Sequence, residues 1–121
     1  MRRLGVTSKA VYAPYNVVVV PFPFTDQDSS KRRPALVLSE KVFNDAHNHL
    51  VLGMITTAAG STWGSDVALA DWKKAGLTTP CRFRMKVFTL DCTLIIKMVG
   101  KLTAKDAKAV RVTLQKYLAV T

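Results

Sequence analysis

The chain has 121 residues, 49% of them hydrophobic, a size and composition that describe one domain able to bury a core of its own. Eighteen Lys and Arg oppose eight Asp and Glu, so the net charge of +10 favours anionic partners: RNA, DNA, an anionic membrane surface or an acidic protein. No apolar run approaches the roughly 18 residues of a membrane span, no basic amphipathic helix of the membrane-surface kind is present, and no apolar stretch follows the basic N-terminus as a secretory signal requires. Cys81 and Cys92 have no metal-ligand spacing, and the expectation is a cytoplasmic protein with reduced thiols.

In chain order, residues 1–14 read as a basic leader and 15–121 as the domain. Residues 16–22 (NVVVVPF) are expected to form a strand that Pro21 and Pro23 end, because proline has no ladder donor to give. Residues 25–33 (TDQDSSKRR) are a polar, increasingly basic loop, and 34–39 (PALVLS) a second strand. Two apolar strands joined in this way hold Lys31, Arg32 and Arg33 on a rigid scaffold at a sheet edge, a placement suited to a phosphate backbone. Residues 43–48 read as a turn or a single helical turn. Residues 49–57 (HLVLGMITT) are almost continuously apolar, which predicts a strand covered on both faces. The small-residue loop 58–65 carries one aromatic side chain, Trp63, in an exposed setting. A short strand at 66–69 and a helical turn at 71–75, stopped by Gly76, follow.

Residues 82–87 (RFRMKV) alternate strictly. Strand side chains alternate faces, so Arg82, Arg84 and Lys86 are expected on one face, about 6.7 Å apart, and Phe83, Met85 and Val87 on the other. No acid lies among the three cations, which gives a cationic ladder on an apolar back. Residues 93–99 read as a further strand closed by Gly100. Thr103 then caps a C-terminal helix with Asp106 in its first turn, and Ala107, Val110, Leu114, Tyr117 and Leu118 share one helical face. About six short strands and a terminal helix predict a mainly β domain with α, a small and strongly bent antiparallel barrel. Phe22, Trp72 and Phe88 are core candidates, and Cys81 and Cys92 small packing residues. The string His47-Asn48-His49 reads as a connection rather than as a metal-dependent nuclease motif.

The segments VVVVPFPFTD at 17–26, RPALVLS at 33–39, Asn44 with Ile55-Thr56-Thr57, Asp71-Trp72 with Ala75-Gly76-Leu77, Phe88-Thr89-Leu90 and Gly100-Lys101-Leu102 span nearly the whole chain. Their order and spacing resemble the MazF/PemK (Kid-like) mRNA interferases, toxins of type II toxin–antitoxin systems. The resemblance implies an SH3-like antiparallel β-barrel with a C-terminal α-helix, and a homodimer. It implies metal-independent, cofactor-free, sequence-specific endoribonuclease cleavage of single-stranded mRNA to 2′,3′-cyclic phosphate and 5′-hydroxyl ends. It also implies a small acidic antitoxin protein that covers the RNA groove. By position, the family's Arg before Pro is Arg33 and the Thr ending its third strand is Thr56, its usual catalytic pair. The acid that some members carry five residues before that Arg is Asp28, and where a His sometimes precedes the Arg this chain has Arg32. Arg84 matches, approximately, an Arg that is catalytic in Kid-type members. The acid that follows it there is missing, since the neighbours here are Met85 and Lys86. Tyr15-Asn16 stands where a Gly-Asp often opens the first strand.

Cleavage of this kind needs a base for the 2′-hydroxyl, a stabiliser for the phosphorane and an acid for the leaving 5′-oxygen. Arg33 suits the second task, because a guanidinium stays charged and its fork fits two phosphoryl oxygens. Thr56 can hydrogen-bond a phosphoryl oxygen, although by itself it is an ordinary β-former at a strand end. Asp28 is the candidate base, with the difficulty that a carboxylate among cations is a weak one; Lys31 or an ordered water is the candidate acid. Trp63 and the loop 25–30 are the candidate base readers, and Lys31, Arg32, Arg82, Arg84 and Lys86 the candidate RNA-backbone ligands. The plainer alternatives are solvated charges at Lys31 and Arg32 and a Trp63 folded back on the core. Two other functions stay open. One is a non-enzymatic poison of DNA gyrase like CcdB, disfavoured because the C-terminus KYLAVT has no Trp. The other is an RNA-binding module without catalysis, favoured by the missing acid after Arg84.

Overall fold

A computed structural model describes residues 11–22 and 31–120. Six strands pair antiparallel: β1 (Asn16–Pro21), β2 (Arg32–Val37), β3 (His49–Thr57), β4 (Val67–Ala68), β5 (Cys81–Asp91) and β6 (Lys97–Lys101). Helix α1 (Lys41–His47) joins β2 to β3, and helix α2 (Ala104–Tyr117) follows β6. The strand order is β4-β5-β3-β2-β1-β6, so the strongly bent sheet is a half-barrel with β4 and β6 as its ends. Among the described residues no helix is long and apolar enough to cross a membrane.

Both faces of the sheet are covered. Val17, Leu36, Ile55 and Phe83 enter one core, closed by Leu69, Leu77, Leu102 and Val110 of α2. Val18, Val20, Ala35, Val37, Leu50 and Leu52 enter a second, with Phe22. Two-sided burial is the reason 49–57 read as an unbroken apolar run. Phe22 and Phe88 meet edge to face in the second core, centroids 4.9 Å apart, and Trp72 packs against the first. Gly53 is needed where Phe83 crosses β3, because a Cβ there would collide with the ring. At the same point the β3–β5 register slips: Gly53 faces Val87 and Met54 faces Arg84, leaving Met85 and Lys86 bulged out between them.

Several elements differ from the sequence-based expectation. β2 begins at Arg32, two residues before Pro34, because Arg32 and Arg33 pair with Pro21 and Val20. Residues 41–47 form a seven-residue helix, longer than and starting before the turn or single helical turn expected at 43–48, and it is ended by Asn48 in the left-handed region. Asn44 on that helix is buried and donates to the carbonyls of Tyr12 and Ser39, each at 3.1 Å. The expected strand 93–99 starts late. The Asp91 carboxylate accepts from the amide and hydroxyl of Thr93, both at 2.9 Å, so Cys92–Leu94 is a 3₁₀ turn and β6 begins at Lys97. Tyr117 and Leu118 are exposed, since the core beneath α2 ends at Leu114. Leu118 lines an apolar groove of about 580 Å³ with Val42, Phe43, Val51, Val87 and Leu114. Of the expected leader, residues 1–10 lie outside the described residues, while Tyr12 packs on the second core.

The chain between β4 and β5 is pinned to the start of α2. Thr103 caps the helix, accepting from the Asp106 amide at 3.4 Å, and donates to Asp71 at 2.8 Å. The buried Asp106 carboxylate accepts from the amides of Ala70 and Asp71 at 3.0 and 2.8 Å. Gly76, at φ +90°, and Gly100 let this turn touch β6, because a Cβ on either would strike the main chain of the other segment. Asp106→Ala leaves two amides without their acceptor and is expected to cost about 2–3 kcal/mol. A lower urea midpoint at unchanged m-value is the measurement.

Candidate functional site

β2 and β3 pair from Val37 opposite Leu52 to Ala35 opposite Met54, and no further. The same register continued would set Pro34 against Ile55 and Arg33 against Thr56. Pro34 has no N–H to give, and the ladder stops there. Each strand is nevertheless held from its outer side. β1 grips Pro34 and Arg33 through Val19 and Val20, and β5 grips Ile55, Thr56 and Thr57 through Phe83, Arg82 and Cys81. The opening between them is a cavity of about 190 Å³ lined by Arg33, Pro34, Ile55, Thr56 and Thr57, with Leu77, Thr78, Thr79 and Cys81 from the turn before β5.

Arg33 and Thr56 therefore meet in one cavity. The Arg33 Nε is shut off from solvent and has no hydrogen-bond partner among the described residues. A buried donor in that state costs about 1–3 kcal/mol. Thr56, Thr57, Thr78 and Thr79 line the same cavity, and no carboxylate among the described residues lines it. A guanidinium in a gap lined by threonines and no carboxylate suits an oxyanion, and a phosphoryl group above all. Thr78 and Thr79 carried no pattern in the sequence that marked them.

The cavity opens in two directions. It shares Pro34, Leu77 and Thr78 with a depression of about 250 Å³ that reaches Lys97. It shares Cys81 with one of about 390 Å³ formed by Ala58, Thr62, Trp63, Asp66, Ala68 and Arg82. Three neighbouring depressions thus lie in a row with lining residues in common, from Lys97 of β6, past the β2–β3 gap, to Trp63. Lys31 and Arg32 are exposed beside Arg33. Asp28 and the loop 25–30 lie outside the described residues. His47 and His49 stand at the other end of β3, about 23 Å of strand from Thr56.

Arg82 and Arg84 correct the expectation of an open cationic ladder. They are only 6% and 8% exposed. The acid that neutralises them is Asp66, which the sequence reading missed. Val67 pairs with Phe83, so Asp66 falls opposite Arg84, a partnership visible only once the β4–β5 register is known. Arg84 donates Nε to Oδ1 at 3.0 Å and Nη2 to Oδ2 at 2.9 Å, with Arg82 Nη1 3.5 Å from Oδ2. Arg84 also donates to the Ser61 carbonyl at 2.8 Å, and Arg82 to the carbonyls of Ser61 and Ala58. The Trp63 amide donates to Asp66 at 3.0 Å, and the Trp63 ring lies 4.9 Å from the Arg84 guanidinium carbon. Both arginines build the β3–β4 loop instead of facing solvent. Trp63 stays 42% exposed and is not folded back on the core. Lys86, in the bulge, is half-buried.

Burial alone would raise the Asp66 carboxyl, but the Arg84 hydrogen bond, the Trp63 amide and the charges of Arg84 and Arg82 outweigh it and hold the group below the usual carboxylate range. The hydrogen bond to Asp66 raises Arg84 in turn, against desolvation. Burial raises the Cys81 thiol, and its Sγ donates to the Thr79 carbonyl at 3.2 Å. Among the described residues no three His, Cys, Asp or Glu side chains gather as a metal site.

The depressed folded value of Asp66 sets the sign of its pH dependence. Its contribution is complete above the unfolded value near 3.9 and is lost as pH falls through the folded value, while both arginines stay charged. Urea midpoints measured downward from about pH 4 are expected to fall in the wild type. Asp66→Ala is expected to lack that component and to be less stable at neutral pH by about 3–5 kcal/mol, the cost of stranding buried charge.

A sequence-family model described as PemK-like, MazF-like toxin of type II toxin-antitoxin system matches residues 13–118. No curated protein matches the chain in sequence. Solved structures share the fold. The MazE-MazF structure (Form-III) from Deinococcus radiodurans superposes at a TM-score of 0.73, with 21% identity over 93% of this chain and 100% of that one. An endoribonuclease in complex with its cognate antitoxin from Mycobacterial species gives 0.72, with 15% identity over 93% and 98% of the two chains. The Mycobacterium tuberculosis toxin MazF-mt6 gives 0.66, with 17% identity over 88% and 98%.

Proposed function

The chain belongs to the PemK-like, MazF-like toxins of type II toxin–antitoxin systems, and from that premise we propose that it is a metal-independent, sequence-specific endoribonuclease of single-stranded mRNA. The observation that carries this reading is Arg33, whose buried Nε is unpartnered among the described residues, lining one cavity with Thr56 and three further threonines. A phosphoryl oxygen seated in that cavity would meet the Arg33 side chain, whose Nε has no competing acceptor among the described residues.

In the proposed reaction the 2′-oxygen of one nucleotide attacks its own 3′-phosphorus. The bond to the leaving 5′-oxygen breaks, leaving a 2′,3′-cyclic phosphate and a 5′-hydroxyl. Arg33 stabilises the added negative charge on the phosphorane, and the Thr56 hydroxyl orients the phosphoryl group. Asp28 is assigned as the base and Lys31, or a water, as the proton donor. Lys31 and Arg32, exposed next to Arg33 in the chain, and Lys97, which lines the neighbouring depression, hold flanking phosphates. Arg82, Arg84 and the half-buried Lys86 are not assigned to the RNA backbone. We assign the +10 charge to attraction of two anionic partners, the RNA and a small acidic antitoxin that covers the groove, with the toxin acting as a homodimer in the cytoplasm.

A second reading is RNA binding without cleavage. Its support is that no carboxylate among the described residues lines the Arg33 cavity. The two are separated by incubating the purified protein, free of antitoxin, with a long single-stranded RNA in EDTA. Discrete fragments ending in cyclic phosphate are expected. Arg33→Ala is expected to slow their formation by about 10²–10³-fold, the usual weight of one oxyanion stabiliser. Intact RNA with a salt-dependent mobility shift would favour the binder.

A further inference from the structure

We propose that Asp66 is a positioning residue for RNA recognition: through Arg84 and Arg82 it fixes the β3–β4 loop so that Trp63 stacks one base of the strand held by Arg33. The proposal rests on the reading of the Arg33 cavity as the cleavage site.

The loop has little of its own to hold it. Ala58, Ala59, Gly60, Ser61, Thr62 and Gly64 are all exposed, and Gly60 has φ +92°. A segment of this composition loses much conformational entropy on ordering and buries almost no apolar surface in return. Order comes from outside it. Two arginines reach from β5 to its main-chain carbonyls, and one carboxylate holds both arginines together with the Trp63 amide. Removing the Asp66 charge would leave two cations buried beside each other, and the loop would have to move to hydrate them.

Trp63 is the group that this arrangement presents. Its ring packs on the Arg84 guanidinium, yet 42% of the residue stays accessible, and it lines the 390 Å³ depression that has Cys81 in common with the Arg33 cavity. An accessible aromatic ring next to a phosphate site suits an unpaired base, since stacking needs only a π-face and the strand's direction is set by the phosphate. Asp66 does not act on the substrate itself. Both its oxygens already accept hydrogen bonds, from Arg84 on one side and from Arg84 and Trp63 on the other. Its effect is to order the platform before RNA arrives, so that binding does not bear the cost of ordering the loop.

The test uses the full chain and short single-stranded RNAs carrying each of the four bases in turn beside the cleaved bond. Asp66→Asn removes the charge at constant shape, and Trp63→Ala removes the stack while leaving the clamp. Both are expected to raise KM by roughly tenfold, the weight of one stacked base, with a smaller effect on kcat. Both are expected to flatten base preference at the same flanking position, and Trp63→Phe to restore most of it. A folded Asp66→Asn protein with wild-type KM and base preference overturns the proposal, as does a loss confined to kcat. Should Asp66→Asn fail to fold, Arg84→Lys, which keeps the charge and loses the fork, replaces it with the same expected pattern. A wild type that cuts no RNA overturns the nuclease reading instead. Fluorescence anisotropy with a labelled RNA then decides the positioning claim, and equal Kd values for wild type and Asp66→Asn overturn it.

Discussion

One absent hydrogen-bond donor organises the candidate site. Pro34 interrupts a ladder that runs in register up to Ala35 and Met54, and two strands that would otherwise have zipped together separate around Arg33 and Thr56. The gap stays open because its walls are secured from outside: β1 on Arg33 and Pro34, β5 on Ile55 to Thr57. A third constraint closes its end. The close approach of Gly76 and Gly100, with Asp106 gripping the amides of Ala70 and Asp71, sets the turn from which Leu77, Thr78 and Thr79 reach the cavity. The core is thus continuous behind a local defect in the sheet, and the defect is where the polar chemistry collects.

Three arginines of this chain show how little residue type says about availability. Arg84 is spent twice over, on Asp66 and on Ser61, and Arg82 likewise on Asp66, Ser61 and Ala58. Arg33 has a buried Nε with no acceptor among the described residues. All three lie on strands, Arg33 on β2 and the other two on β5. What separates them is whether a carboxylate and free carbonyls stand opposite, which is a property of the β4–β5 register and of the Pro34 break.

Much of the fold was legible because its signals are local. The two-sided apolar run predicts β3 at 49–57, the bounds it has, and Thr103 predicts the cap that α2 carries. The pairing of Arg33 with Thr56 in one cavity came from the family resemblance; no spacing in the sequence displays it, and the register of β2 on β3 supplies the reason. The misreadings share a cause. The letters of 82–87 alternate, but alternation reveals neither the bulge at Met85 and Lys86 nor what covers Arg82 and Arg84, which is a loop some twenty residues upstream acting through Asp66. Residues 93–99 have strand-like composition, yet one side chain, Asp91, turns the chain at Thr93 before a strand can start. Tyr117 and Leu118 continue the helical stripe past the closed core, and Leu118 is left on the wall of an open apolar groove.

The grip on the β3–β4 loop goes to its carbonyl oxygens: Ala58 and Ser61 are held by atoms that every amino acid possesses. The identities of the side chains at 58, 59, 61 and 62 are therefore nearly independent of the path that the loop follows. Evolution, or a designer, can exchange them without rebuilding the frame that carries them. A scaffold of that kind separates the shape of a recognition surface from its chemistry, so that divergence can proceed residue by residue while Asp66, Arg82 and Arg84 keep the stage in place.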